Sequence, residues 1–395
     1  MADRIILHSD LNNFYASVEC MINPKIKNNA VIVVGNAEKR HGIVLAKNYV
    51  AKKYGIRTGD TIMEAENKCS KDVKLTKITA RLELYRKVSK KVQEIYRKYT
   101  DNVEMFGIDE AWLDITKTAK DYTEAMDIAE MIRCEVKAKI GITVSIGVSF
   151  NKVFAKLGSD LKKPDAITLI TKGNFRDRIW VLNVNTLLYV GRSTSRSFEK
   201  MNIKTIGDLA NTSPELLTKY LGVVGKRLWE YANGLDCEEV KKVDEYDDIK
   251  SIGNSITWHE DLMTIDDVKS VLYLLAEQVA YRLKKENMYC KEISIYVKDN
   301  TLHSDEHQCK LSYPTNTSKD IADNAIMLFN KHFDLSIPIR ALGIRLKDFS
   351  DQLQVSMLSP SISKQEKLDN LVTTIRKKYG STSITRGRCV GKSLD

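Results

Sequence analysis

Phe106-Gly107-Ile108-Asp109-Glu110-Ala111-Trp112-Leu113-Asp114 sets two adjacent carboxylates in the middle of an apolar run. No Lys or Arg stands within five residues of the pair on either side. Carboxylates half-buried in such surroundings are costly unless they are paired or bound to a cation. A strand edge carrying two exposed acids is the plain alternative for this pair taken by itself. A third acid, Asp10, follows the short apolar stretch Arg4–His8, about a hundred residues earlier in the chain. Oxygen ligands select Mg²⁺, and carboxylates from two separate strands can hold two such ions about 3.5–4 Å apart.

Working outward from the acidic pair, Val103–Ile108 and Ala111–Ile115 read as apolar strands that flank it. Ahead of them, Leu84, Val88, Val92, Ile95 and Tyr99 recur at helical spacing and predict an amphipathic helix over Arg81–Tyr99. Arg4–His8, Ala30–Val34 and Ile43–Ala46 read as strands and Asn13–Cys20 as a helix; a further helix over Lys47–Tyr54 is closed by Gly55. After the pair come a helix over Asp121–Ile140 and a strand over Thr143–Ser149. This β/α order predicts one mixed sheet with helices packed on it. Residues 173–235 are helical, with Gly turns at Gly191 and at Gly222 and Gly225. Asp236–Asp248 carries seven acids and little apolar content, and reads as an interdomain linker. Beyond it, strands over Ile249–Trp258, Glu292–Val297, Gln308–Ser312 and Ile339–Leu346, with helices over Thr264–Lys285 and Ser318–His332, predict a βαββαβ domain. Residues 349–362 look loose, and Ser363-x-x-Glu366 reads as a capping box that opens a final short helix.

The totals agree with a soluble multidomain protein. At 395 residues, and with usual domains of roughly 100–200 residues, two to four domains are expected. No apolar run approaches the ~20 residues needed to cross a bilayer, and the start, Met-Ala-Asp-Arg, lacks the features of a signal peptide, so a cytoplasmic location is expected. The seven cysteines are scattered without a CxxC pair, which fits reduced thiols. His303, His307 and Cys309 come nearest to a metal cluster, but they lie in a polar stretch that reads as a loop between strands. Of the net charge of +10, residues 1–108 contribute 20 basic against 12 acidic side chains. A basic block of this kind suits a phosphate-rich partner as well as it suits a solvated surface.

Four stretches decide between these possibilities: Asp10-Leu-Asn-Asn-Phe-Tyr-Ala-Ser-Val-Glu19, Ala46-Lys-Asn-Tyr49-Val-Ala-Lys52-Lys-Tyr-Gly55, Gly107-Ile-Asp-Glu-Ala-Trp-Leu-Asp114 and Ser145-Ile-Gly-Val-Ser-Phe-Asn-Lys-Val-Phe-Ala-Lys156. In order and spacing they closely resemble the Y-family DNA polymerases, most of all the bacterial DNA polymerase IV group. The resemblance covers residues 4–165 and continues more weakly to the C-terminus. It implies an α+β multidomain fold, the right-hand polymerase: a mixed-sheet palm (1–22 and 76–168), small fingers (23–75) and a helical thumb (169–235). The linker (236–248), the βαββαβ little finger (249–349) and a C-terminal tail (350–395) follow. It also implies template-directed addition of dNTPs to a primer 3′-hydroxyl, with low fidelity and in the service of translesion synthesis.

Carried over residue by residue, Asp10, Asp109 and Glu110 become catalytic metal ligands, joined by the main-chain carbonyl of Leu11. They would hold two Mg²⁺ ions, with Mn²⁺ able to substitute. Phe14 and Tyr15 fall on the family's paired aromatics, the second being the gate against ribonucleotides. Tyr49, Lys52 and Lys163 fall on its triphosphate contacts. Two positions depart from many relatives: Lys52 stands where Arg is common, and Ala46 where some have a hydroxyl residue. Lysine keeps the charge but loses the bidentate fork. Gln354-Val355-Ser356-Met357-Leu358 resembles the peptide by which bacterial polymerases bind the sliding clamp. The expected partners are primer–template DNA, dNTP and that clamp; no membrane is expected, and the protein is expected to act as a monomer. Two rival readings stand beside this one, a palm-type nucleotide cyclase and a catalytically silent DNA-binding relative.

Overall fold

The computed structural model describes residues 4–36, 42–69, 73–243, 245, 248–350, 360–380, 383–384 and 386–389. The chain divides into two compact units, one ending at Tyr246 and the other beginning at Asp247.

The first unit is built on a five-stranded sheet, in the order β5 (Val103–Met105), β6 (Glu110–Asp114), β1 (Ile6–Leu11), β7 (Val144–Ser149) and β8 (Ile167–Leu169). β1 is antiparallel to both of its neighbours, and all six of its residues are buried. Strand alternation divides them. Leu7 and Leu11 enter a core shared with α1 (Phe14–Ile22), α4 (Leu82–Tyr96) and α5 (Tyr122–Ile140). On the other face, Ile6 packs with Trp112 and with Ala155 of α6 (Lys152–Leu161). The helix expected at Arg81–Tyr99 is α4; Val88, Val92 and Ile95 of the predicted stripe are buried, with Tyr85 and Tyr96 buried beside them, while Leu84 and Tyr99 are only partly covered and Tyr99 lies past the helix end. Asp121 caps α5 by accepting hydrogen bonds from the amides of Thr123 and Glu124, and Gly141, at φ 82°, ends it. Periodicity missed α6, a helix of ten residues capped by Asn151, whose side chain accepts from the Phe154 amide at 2.8 Å.

A second, three-stranded sheet of the same unit has the order β3 (Val44–Lys47), β2 (Ala30–Val34), β4 (Leu75–Thr79), with α2 (Tyr49–Lys53) and α3 (Ile62–Lys68) beside it. Five short helices follow β8: α7 (Phe175–Ile179), α8 (Arg192–Lys200), α9 (Ile206–Asn211), α10 (Pro214–Leu221) and α11 (Val223–Ala232). They enclose their own apolar cluster around Phe198, Leu209, Leu217 and Leu228. Residues 236–243 then run along the first sheet. The Arg4 guanidinium donates to the carbonyl of Glu238, the Lys241 amide donates to Glu104, and Val240 is buried against Ile6, Trp112 and Ala155.

The second unit is β9 (Ile252–Leu262), α12 (Ile265–Lys285), β10 (Tyr289–Asp299), β11 (Ser304–Thr315), α13 (Ser318–His332) and β12 (Ile339–Ser350), the expected βαββαβ order. Its antiparallel sheet runs β11-β10-β12-β9. Two expectations are corrected here. The strand expected at Gln308–Ser312 is β11 and starts earlier, at Ser304, so His307 lies in the strand and not in a loop, because hydrogen bonding to β10 outweighs the polar composition there. There the His307 ring stacks on His332 at 3.9 Å. The terminal helix α14 (Pro360–Tyr379) starts three residues before the expected capping box and is not short, since Pro360 is itself suited to a first turn. It is held to this unit through Asp369, which accepts from the Ser318 amide at 2.7 Å. No helix among the described residues is long and apolar enough to cross a membrane.

One close approach fixes the distance of α6 from the sheet. A Cβ on Gly147 of β7 would lie 1.8 Å from the Ala155 carbonyl oxygen and 2.6 Å from the Ser159 amide nitrogen. Both are backbone atoms, so relief requires the helix to move. Overpacking typically costs about 1–3 kcal/mol, and more where backbone must shift. Gly147→Ala is therefore expected to destabilise the protein by about 3 kcal/mol or more, measured by urea denaturation.

Candidate active site

The register of the central strands brings the two acidic segments together. β1 pairs with β6 so that Asp10 lies opposite Glu110 and His8 opposite Trp112. Asp10, His8, Glu110 and Trp112 consequently share the sheet face that carries α6. Asp109 precedes β6, in a tight turn where Gly107 adopts φ 86° and the Phe106 amide donates to the Glu110 carbonyl at 2.9 Å. The Asp109 carbonyl in turn accepts from the Leu11 amide at 2.9 Å, which ties this turn to the end of β1.

Two lysines meet these acids. Lys163 donates to Asp10 Oδ2 at 2.7 Å and also pairs with Asp160 at 2.8 Å. Lys156, one helical turn below Asp160 on α6, donates to Glu110 Oε2. His8 is fully buried; its Nε2 lies 3.2 Å from the same oxygen, off the line of a hydrogen bond, while its Nδ1 meets Ser159 Oγ at 2.8 Å. The carboxyls respond unequally. Burial raises Asp10 to about 6, against the opposing charge and hydrogen bond of Lys163. Burial and the neighbouring Glu110 charge also raise Asp109. Burial would raise Glu110 too, but polar contacts with His8 and Lys156 and the Lys156 charge carry it down to about 2. Lys163 is lowered by burial yet held above the ordinary lysine range by Asp10.

The donor chemistry fits a divalent cation. The candidate donors are all oxygen, two of the carboxyls carry pKa values raised by burial, and two ammonium groups already neutralise the cluster. Among the described residues, no three acidic, histidine or cysteine side chains are gathered into a ready-made cage.

The remaining site residues come from neighbouring elements. Tyr15, on α1, is half-buried, with Asp109 close enough to raise its pKa further after burial. Phe14 beside it is buried in the core. Tyr49 begins α2, within electrostatic reach of Lys163 and Asp10, and Lys52 lies 5.7 Å from its ring centre. Asn12 pins the loop that carries Lys163, accepting from the Asp165 amide at 2.9 Å and donating to Ser145 Oγ at 2.9 Å. Residues 354–358 lie outside the described residues. Reading the sequence alone missed Lys156, His8 and Asn12. The four-residue spacing of Lys156 and Asp160 is visible only once α6 is recognised, and nothing local marks the other two.

The Asp10 pKa has a consequence for stability. A carboxyl with a higher pKa in the folded chain than in the unfolded one binds its proton more tightly when folded. Its contribution is therefore most favourable below about pH 4 and is lost as pH rises from 4 to about 6. Asp10→Asn removes this cost, so the metal-free variant is expected to gain about 2–3 kcal/mol on wild type between pH 4 and pH 7. Parallel thermal melts in EDTA across that range test it; a constant difference would contradict the assignment.

Comparison with known proteins agrees with this geometry. Residues 9–160 match the impB/mucB/samB family, residues 249–357 its C-terminal domain, and residues 188–236 a thumb domain described from DNA polymerase iota. The chain is 46% identical to DNA polymerase IV of Acetivibrio thermocellus, over 97% of each chain. It is 34% identical to DNA polymerase IV of Clostridium acetobutylicum, again over 97% of each. A solved Y-family DNA polymerase chimera superposes with a TM-score of 0.78 at 22% identity, covering 89% of this chain and all of that one, and so supports the fold. Matched along nearly its whole length and through three separate domains, the chain belongs to the impB/mucB/samB family, the Y-family DNA polymerases.

Proposed function

We propose that this protein is a template-directed DNA polymerase specialised for low-fidelity translesion synthesis. The observation that carries the reading is the register of β1 against β6, which sets Asp10 opposite Glu110, with Asp109 in the adjoining turn and a lysine on each of the outer two carboxyls. Primer–template DNA and dNTP are its substrates. In-line attack of a primer 3′-hydroxyl on an α-phosphate concentrates negative charge, so the residues act by positioning and charge compensation.

Asp10, Asp109, Glu110 and the Leu11 carbonyl are the proposed holders of two Mg²⁺ ions, for which Mn²⁺ can substitute. Bound there, the ions supply Lewis-acid compensation of the phosphate charge. Lys163 exchanges Asp10 for the incoming triphosphate, and Tyr49 and Lys52 complete the grip on it. Lys156 stays on Glu110 and keeps it ionised. Phe14 holds the start of α1 in the core, and Tyr15 excludes a ribose 2′-hydroxyl by contact. In this reading, residues 1–22 and 76–168 form the palm, 23–75 the fingers, 169–235 the thumb and 249–349 the little finger. The protein works in the cytoplasm as a monomer.

Primer extension with one dNTP at a time, with and without Mg²⁺, tests the activity. Asp109→Ala or Glu110→Ala is expected to abolish extension while primer–template binding persists. Losing a metal ligand should cost several kcal/mol of transition-state stabilisation, and each ~1.36 kcal/mol is tenfold in rate. Either variant retaining more than about a tenth of the wild-type rate overturns the assignment.

Residues 354–358 are the proposed tether to a sliding clamp. Burying Met357 and Leu358 gives roughly 3–5 kcal/mol before ordering costs, so the isolated peptide should bind at about micromolar affinity or weaker. The tether then works through effective concentration on the same DNA. Replacing Gln354, Met357 and Leu358 by alanine is expected to remove clamp stimulation and leave clamp-free synthesis and melting temperature in place. A lowered melting temperature with stimulation preserved would assign the segment to packing instead.

A further inference from the structure

Tyr15 does not stand alone on α1. Its ring lies parallel to that of Tyr85, with centroids 4.3 Å apart and planes 15° apart. Phe14 closes on Tyr85 from a second side, edge to face at 6.3 Å. Tyr85 is fully buried near the start of α4, and its hydroxyl donates to Glu19 Oε1 at 2.7 Å. Glu19 sits one turn after Tyr15 on α1, so these two residues meet Tyr85 from one face of that helix. Glu19 is itself buried and fixed: Arg81 Nε donates to Oε1 at 3.0 Å, and the Arg81 terminal nitrogen donates to Oε2. The fork holds the carboxylate, the carboxylate holds the phenol, and the phenol ring backs Tyr15.

We propose that Tyr85, held by Glu19 and Arg81, is a positioning residue that fixes the ring of Tyr15 and so sets how strongly the enzyme rejects ribonucleotides. The inference rests on the reading of Tyr15 as the sugar gate. Rejection by contact requires a gate that cannot retreat, because a displacement of about 1 Å is enough to change rates a hundredfold in a close-fitting site. A ring stacked on a second ring inside a close-packed core has no such room. Burial and the Glu19 carboxylate keep the Tyr85 hydroxyl protonated, so it remains a donor. Sugar selectivity then depends on a residue seventy positions away in sequence from the one that touches the sugar.

The experiment measures kcat/KM for one dNTP and its matching rNTP in Tyr15→Ala, Tyr85→Phe, Tyr85→Leu and wild-type protein, with a thermal melt of each. Tyr85→Leu is expected to raise the rNTP/dNTP ratio by about fivefold or more, while Tyr85→Phe, which keeps the ring, stays within about twofold of wild type. A role in stability alone would lower the melting temperature and leave the ratio unchanged. If Tyr85→Leu does not melt cooperatively, Tyr85→Met fills the volume with a flexible chain and carries the same expectation. An unchanged ratio in the folded Tyr85 variant, with Tyr15→Ala raising it, overturns the proposal and leaves the gate standing. An unchanged ratio in Tyr15→Ala overturns the gate itself, and this inference with it.

Discussion

The pairing of β1 between β6 and β7 is the constraint on which the site depends. A strand buried on both faces and hydrogen-bonded on both edges has no freedom to slip, because a shift of one residue would exchange its faces. Leu7 and Leu11 would leave the core, and Ile6, His8 and Asp10 would enter it. The apolar residues thus fix where the polar ones stand. Asp10 faces Glu110 because Leu7 and Leu11 have to face α4 and α5. The cost of placing carboxyls there appears in the raised pKa values of Asp10 and Asp109, and two lysines partly offset it.

Those lysines reach the site only because α6 lies so close to the sheet. Gly147 and Gly158 face each other where the helix crosses β7, and neither position has space for a side chain without moving backbone or neighbouring side chains. At that distance Lys156 meets Glu110, Ser159 meets His8, and the loop after α6 carries Lys163 to Asp10. Helix-to-sheet spacing and the electrostatics of the acidic cluster are one arrangement. The same helix also buries Lys152, which bonds Glu104 at 2.8 and 2.9 Å and lies 4.6 Å from the centre of the Trp112 ring. That bond draws in the 236–243 segment through the Lys241 amide.

Much of the fold was legible locally. The helix at Leu82–Tyr96 was readable from one apolar stripe, and the strand at Ala30–Val34 from five consecutive apolar residues. The βαββαβ order of the second unit followed from alternating periods of two and 3.6. What failed locally was short or polar. The first residues of β11, Ser304–His307, are strand because β10 offers them a hydrogen-bonding edge, and their own composition gives little sign of that. α3, β4, α6 and β8 carry too few turns or residues for a period to stand out.

The division within the site is similar. The amino-acid sequence by itself determined which residues carry charge and oxygen: an isolated Asp109–Glu110 pair, an Asp10 at the end of an apolar strand, and the aromatic pair Phe14–Tyr15. Their types and spacing suffice because they are local facts of covalent order. Only the tertiary structure decided which partners they meet. Lys163 on Asp10, Lys156 and His8 beside Glu110, and Tyr85 behind Tyr15 join residues between 46 and 153 positions apart. No periodicity extends that far. Such pairings follow from strand register and from how closely helices approach a sheet, and these are settled by the packing of the whole apolar core at once.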